Sequence, residues 1–269
     1  MKLENFVLYK NAWVNPYNVT HSQKLNKQEY NSLLNGGGYL VRNIYNWDKE
    51  TPGSFWFIIK DSFGGIEELP AKVRNQVRKS LKCYDFKKID YEWMLNNGLP
   101  LFNKSRERFG GKDLQISSSE WEEKISLDNA DFWVGFDRDS GEPASFAINQ
   151  VFDDYCSYAI MGISPDFPNS TYPIYGLIYE MNKYYLDGLN LKFVTDGART
   201  ISGHSNIQPF LEDKFKFRKA YCDIQLIYRP ALGVLIKLLF PFRKFIKIKQ
   251  VAALLNQEAM ARGIIDKDN

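Results

Sequence analysis

The chain has 269 residues, 44% of them hydrophobic and 25% charged, with a formal net charge of +3. That is globular composition at a length that permits a real core, and the charge is too small to mark a nucleic-acid-binding surface. Cys83, Cys156 and Cys222 stand far apart with no CxxC pair, and His21 and His204 are the only histidines, which argues against a disulfide framework and against a metal site.

No apolar run reaches bilayer length and the first residues carry no apolar signal core, so the expectation is a cytoplasmic protein. Short aromatic strands open the chain: Phe6 to Tyr9, Tyr39 to Arg42 and Phe55 to Ile59, separated by turn formers such as Asn15-Pro16, Gly36 to Gly38 and Pro52-Gly53. A helix is predicted from Pro70 to Lys82, with Val73, Val77 and Leu81 as its apolar stripe and Arg74, Arg78 and Lys82 one position further on. The stripe is a packing face and the cations form a ridge beside it.

From Tyr84 the order of elements carries the most information. A strand over Tyr84 to Asp90 precedes a helix over Tyr91 to Phe109 and a second one over Ser119 to Ile125, preceded by serines and acidic in its first turn. Strands follow over Asp131 to Phe136, Ala144 to Phe152 and Ser157 to Ile163, the first pair joined by the turn Asp137-Arg-Asp-Ser-Gly141; this spacing predicts an antiparallel meander. An amphipathic helix from Ile174 to Leu186 then leads through Gly188 to a strand over Leu191 to Asp196, which implies a parallel crossover. A short helix over Ile207 to Phe215 and a strand over Ala220 to Tyr228 complete the series, β-α-α-β-β-β-α-β-α-β.

That order resembles the acetyltransferase (GNAT) fold, an α/β (α+β) architecture with a mixed, mostly antiparallel sheet and flanking helices. Two segments add to the likeness. Phe55 to Asp61 followed by Leu69 to Lys82, an aromatic strand and then a helix with basic residues at regular spacing, resembles the FemAB-like branch. Asn206 to Ala220, with Lys216-Phe217 in place of a Gly-Phe step, is similar to the last helix-to-strand passage of acetyltransferases. The expected organisation is a β-rich, reduced GNAT-like region over 1–83, an acyltransferase core over 84–230 and a helical, basic and apolar tail over 231–269.

The resemblance implies transfer of an acyl or aminoacyl group, from acyl-CoA or a related activated carrier, to an amine on a small molecule, an amino sugar, or a surface-glycan or cell-wall precursor. It places the oxyanion-stabilising N–H within Met161 to Ser164, where this fold has a splayed gap beside a strand. For the carrier it points to Ile163, Ser164, Ser170, Thr171 and Asn206, and for the acceptor to Arg74, Arg78, Gln150 and Arg199. The family's Gly-rich pyrophosphate loop is replaced by Ser164-Pro-Asp-Phe-Pro-Asn-Ser-Thr-Tyr-Pro173, where prolines remove N–H donors and Asp166 repels an anion.

The loop from Thr195 to Asn206 follows a parallel strand, where ligands of open α/β sheets commonly lie. Asp196 and His204 are its candidate proton-transfer groups. The alternative for Asp196 is a loop-bracing hydrogen bond, and Asn206 equally suits a helix cap. Arg74 and Arg78 form either an anion site or a solvated helix face.

The segment 232–249 is apolar and then basic, from Leu232 to Phe242 and on through Arg243, Lys244, Lys247 and Lys249. A peripheral membrane contact and a packed covering helix both fit it. The rival to an enzyme is a catalytically silent member of the fold that binds a glycan or a protein partner. Nucleic acid enters only as aminoacyl-tRNA, the donor that the FemAB-like resemblance also allows.

Overall fold

The computed structural model describes residues 6–15, 19–110, 115–199 and 207–264, without the side chains of 19 and 108–110. The strands and helices in chain order are β1 (Val7–Tyr9), β2 (Ala12–Val14), α1 (Lys27–Asn35), β3 (Leu40–Lys49), β4 (Phe55–Lys60), α2 (Ala71–Cys83), β5 (Tyr84–Ile89), α3 (Tyr91–Gly110), α4 (Ser118–Ile125), β6 (Ala130–Asp137), β7 (Pro143–Val151), β8 (Tyr155–Ile163), α5 (Pro173–Asn182), β9 (Phe193–Ala198), α6 (Ile207–Phe215), β10 (Arg218–Tyr228), α7 (Pro230–Leu239) and α8 (Lys249–Ala261). From β5 onward this is the order read from the sequence. The strand pairing is mixed and mostly antiparallel, with β2–β3 and β8–β9 parallel.

Contacts divide the chain into two compact units. One gathers Met1–Ile58, Ala198–Asn206 and Lys219–Asn269; the other gathers Ile59–Gly197 and Ile207–Arg218. In the first unit the hydrogen-bonded order is β1-β2-β3-β10. β3 and β10 pair antiparallel although Ile44 and its partner Ile224 are far apart in sequence. Burial of Val41 with Phe6, Leu25 and Leu33, and of Ile44 with Phe55, Cys222, Ile224 and Met260, gives this unit its cores. α1 starts at a reciprocal cap, in which the Asn26 side chain accepts from the Gln28 and Glu29 N–H groups and Glu29 accepts from Asn26 N–H.

In the second unit the order is β9-β8-β7-β6-β5. Alternation along β6 and β7 sends Phe132, Val134, Phe146 and Ile148 to one face, where they bury Met94, Leu101 and Phe102 of α3 with Trp121 and Ile125 of α4. Trp133 and Asn149 point the other way, toward the π-helical turn Lys183–Gly188 that extends α5. α5 lies close because Gly176 has no side chain; a Cβ there would sit 2.3 Å from the Phe86 ring and 2.4 Å from Ser80 Oγ. Among the described residues no helix is long and apolar enough to cross a membrane.

Candidate active site

The second unit contains a break in its sheet. β8 and β9 pair in parallel at Tyr155↔Phe193, Cys156↔Val194 and Ser157↔Thr195, and the pairing goes no further although both strands continue. At the same level β8 bulges against β7. Ile160 faces Ile148 and Tyr158 faces Asn149, which leaves Ala159 as the extra residue. Beyond the bulge the Ser164 N–H donates to Ala144 O at 2.8 Å. By the alternation of an antiparallel ladder, Gly162 and Ile160 also turn their N–H groups to β7, so those of Met161 and Ile163 turn to the β9 side. The expected segment Met161 to Ser164 therefore divides: Ile163 presents its amide to the gap, and Ser164 spends its own on the sheet.

Ser164 is buried, and its hydroxyl accepts from Asp166 N–H at 3.2 Å. It borders a groove of about 660 Å³ whose other walls include Trp93, Asn96, Asn97 and Lys104 of α3, Glu142 of the β6–β7 turn, and Asp166. Lys104 and Asp166 form an ion pair at 2.5 Å. Pockets of this volume are the size of small-ligand sites.

Across the gap, β9 carries Asp196, half-buried and hydrogen-bonded to the buried Gln208 of α6. Burial pushes its carboxyl up to about 7, with the Gln208 hydrogen bond pulling weakly back. Such a group exchanges protons near neutrality. Gly197 follows with φ +91°, and its N–H donates to Thr195 Oγ1 at 2.9 Å, which closes a tight turn at the strand end. His204 and Asn206 lie outside the described residues.

The start of α5, where helix amides would hold a carrier's phosphates, has two of its first-turn amides engaged and lacks a third. Tyr172 caps the helix in the left-handed region at φ 58°, and Pro173 supplies no N–H. Tyr175 N–H donates to Tyr172 O at 3.0 Å and Gly176 N–H to Ser80 Oγ at 3.2 Å. In the preceding turn Thr171 is 2.6 Å from the Tyr84 hydroxyl, and Ser170 is exposed.

The remaining sequence-derived residues occupy separate places. Arg74 and Arg78 both reach the carboxylate of Glu67, at 2.7 and 2.9 Å. Gln150 donates to Asp128 O and sits opposite Ser157, toward the other end of β7 from Ser145 and its partner Ile163. Arg199 belongs to the first unit, where its guanidinium donates to Ser54 O at 2.7 Å and its N–H to Trp56 O.

Two features near these elements escaped the sequence reading. Lys60 at the end of β4 is buried and paired with Glu68 at 2.9 Å. The Tyr185 hydroxyl accepts from Trp133 Nε1 and Asn149 Nδ2 and donates to Asp131, whose carboxylate also meets Lys88 at 2.8 Å. Asn149 inside an apolar strand was the available signal for that network. Among the described residues no cluster of His, Cys, Asp and Glu is placed to hold a metal ion.

No protein-family model and no curated protein matches the sequence. Solved structures do match its fold. FemX superposes with a TM-score of 0.52 at 12% identity, over 72% of this chain and 75% of that one. L-PGS from Bacillus licheniformis gives 0.52 at 14% identity, over 96% and 85%. The C-terminal domain of a protein from Agrobacterium fabrum, assigned as a lysylphosphatidylglycerol synthetase, gives 0.50 at 9% identity, over 87% and 82%. The chain thus shares the fold of FemX and L-PGS, with a mixed, mostly antiparallel sheet and flanking helices.

Proposed function

We propose that this chain is a transferase that moves an acyl or aminoacyl group from an activated carrier to an amine. The observation that carries this reading is the break between β8 and β9, with a bulge at Ala159 and the N–H groups of Met161 and Ile163 turned toward it. A carbonyl seated in the gap receives a preorganised donor as its oxygen gains charge. The amine nitrogen attacks the carbonyl carbon and gives a proton to Asp196, and the carrier's sulfur or oxygen leaves with a proton in turn. The groove beside Ser164 suits a polar acceptor such as an amino sugar, because it offers amide groups and both signs of charge.

The carrier is the finer question. With Pro173 lacking a donor and the Tyr175 and Gly176 amides engaged, a pyrophosphate has little to bind at α5. This favours an aminoacyl ester over a coenzyme A thioester in its usual seat. The name of the Agrobacterium protein, which specifies an aminoacylated lipid, agrees with an aminoacyl donor.

Thermal unfolding with added carriers tests the reading. A ligand at about a hundred times its Kd stabilises by about 2.7 kcal/mol, which raises the midpoint of a chain this size by about 5 °C. The expected result is a rise with aminoacyl-tRNA and none with acetyl-CoA or free CoA. A rise with the CoA compounds alone overturns the choice of carrier. No rise with any carrier favours the silent member of the fold, a glycan- or protein-binding unit, to which the engaged α5 amides also lend support.

A further inference from the structure

The first unit carries a surface that acyl transfer does not use. Ile236 of α7 and Phe240, just beyond its end, turn inward onto Leu255 and Ala259 of α8. The opposite side of the same helix leaves Val234, Leu235 and Leu238 exposed, the last at 65%. The chain then runs through a short 3₁₀ segment, Phe240–Phe245, to Ile248, and exposure persists: Phe242 at 60%, Phe245 at 81% and Ile248 at 67%. Soluble surfaces rarely gather large apolar side chains in this way without a partner.

The charges around these side chains identify the partner. Lys237, Lys244, Lys247 and Lys249 are exposed among them, and Arg243 lies over the Phe240 ring at 4.9 Å. The sequence has no acidic residue between Asp223 and Glu258. Glu258 itself is engaged by the Tyr228 hydroxyl at 2.7 Å and by Arg262 at 2.8 Å. A second copy of this face would meet it with like charge, and protein interfaces are poor in lysine. Four of the six exposed apolar side chains, Val234, Leu235, Leu238 and Ile248, are aliphatic and offer nucleic-acid bases no stacking plane. Apolar side chains that enter the acyl boundary, with lysines reaching headgroup phosphates, fit an anionic bilayer surface.

We propose that residues 230–249 dock on an anionic lipid surface, with Leu238, Phe242, Phe245 and Ile248 inserted and the neighbouring lysines on the headgroups. This surface is independent of the β8–β9 gap, so the proposal stands or falls apart from the transferase reading. The 269-residue chain is co-sedimented with vesicles of phosphatidylcholine, alone or with about 30% phosphatidylglycerol. Binding to the anionic vesicles is expected to be at least roughly tenfold tighter and to weaken as salt is raised.

Leu238→Glu with Phe245→Glu should cut that binding at least roughly tenfold. Lys244→Ala with Lys247→Ala should weaken it less and flatten its salt dependence. Both pairs alter exposed residues, and circular dichroism melts matching the parent confirm folded variants. Absent wild-type binding, or equal binding by folded glutamate variants, overturns the proposal. So does a dimer that the glutamates convert to monomer without any effect on lipid, which would assign the face to self-association.

Discussion

Asp196→Asn tests the environment assigned to the central carboxyl. Burial holds Asp196 near 7 in the folded chain, against an ordinary aspartate value of 3.8. Between those values the folded protein binds a proton that the unfolded chain has released, so stability falls as pH rises through that window. The difference is about three pH units at about 1.4 kcal/mol each, which makes the total cost at pH 8 about 4 kcal/mol. Asparagine has the same shape, retains an oxygen acceptor toward Gln208 and does not titrate. The variant should therefore match the parent near pH 4 and exceed it by up to about 4 kcal/mol at pH 8, or at least roughly 8 °C in midpoint. Parallel thermal melts of both proteins from about pH 4 to about pH 8.5 read the difference directly. A gap that stays constant with pH would show that Asp196 titrates normally and would remove its candidacy as a proton acceptor near neutrality.

Gly176→Ala should destabilise by about 1–2 kcal/mol in urea unfolding, because the overpacking of a Cβ against Phe86 and Ser80 outweighs the helix propensity that alanine gains. An unchanged midpoint would mean that α5 can retreat from β5 at no cost. Tyr185→Phe should cost about 3 kcal/mol by the same measurement, since Trp133 Nε1 and the Asn149 amide lose the buried oxygen they share; a loss below about 0.5 kcal/mol would mean those groups find other partners.

The series from β5 to β10 was legible because each element carries its own local signal. Just ahead of that series, Pro70 stands in the N-cap position of α2. The turn Asp137 to Gly141 closes through the Gly141 N–H to Asp137 O bond, with Gly141 at φ +75°. Other local signals went unread: Asn26-Lys-Gln-Glu29 is a helix-start pattern, and α1 begins there. The candidate site was legible only as a segment of chain. Ile163 and Ser164 are neighbours in sequence, but which amide faces the gap depends on ladder alternation beyond a bulge that no residue type announces.

The sequence alone determined the order of helices and strands from β5 to β10 and the apolar and basic character of 230–249, because both are properties of neighbouring residues and their spacing. Tertiary structure decided the chemistry. Ser80 reaches the Gly176 amide across 96 residues and removes a phosphate donor; Glu67 gathers Arg74 and Arg78; and β3 finds β10 at the far end of the chain. The ionisation of Asp196 belongs with these. A carboxyl's proton affinity is set by how much water and which dipoles surround it, and only the packing of distant segments fixes that.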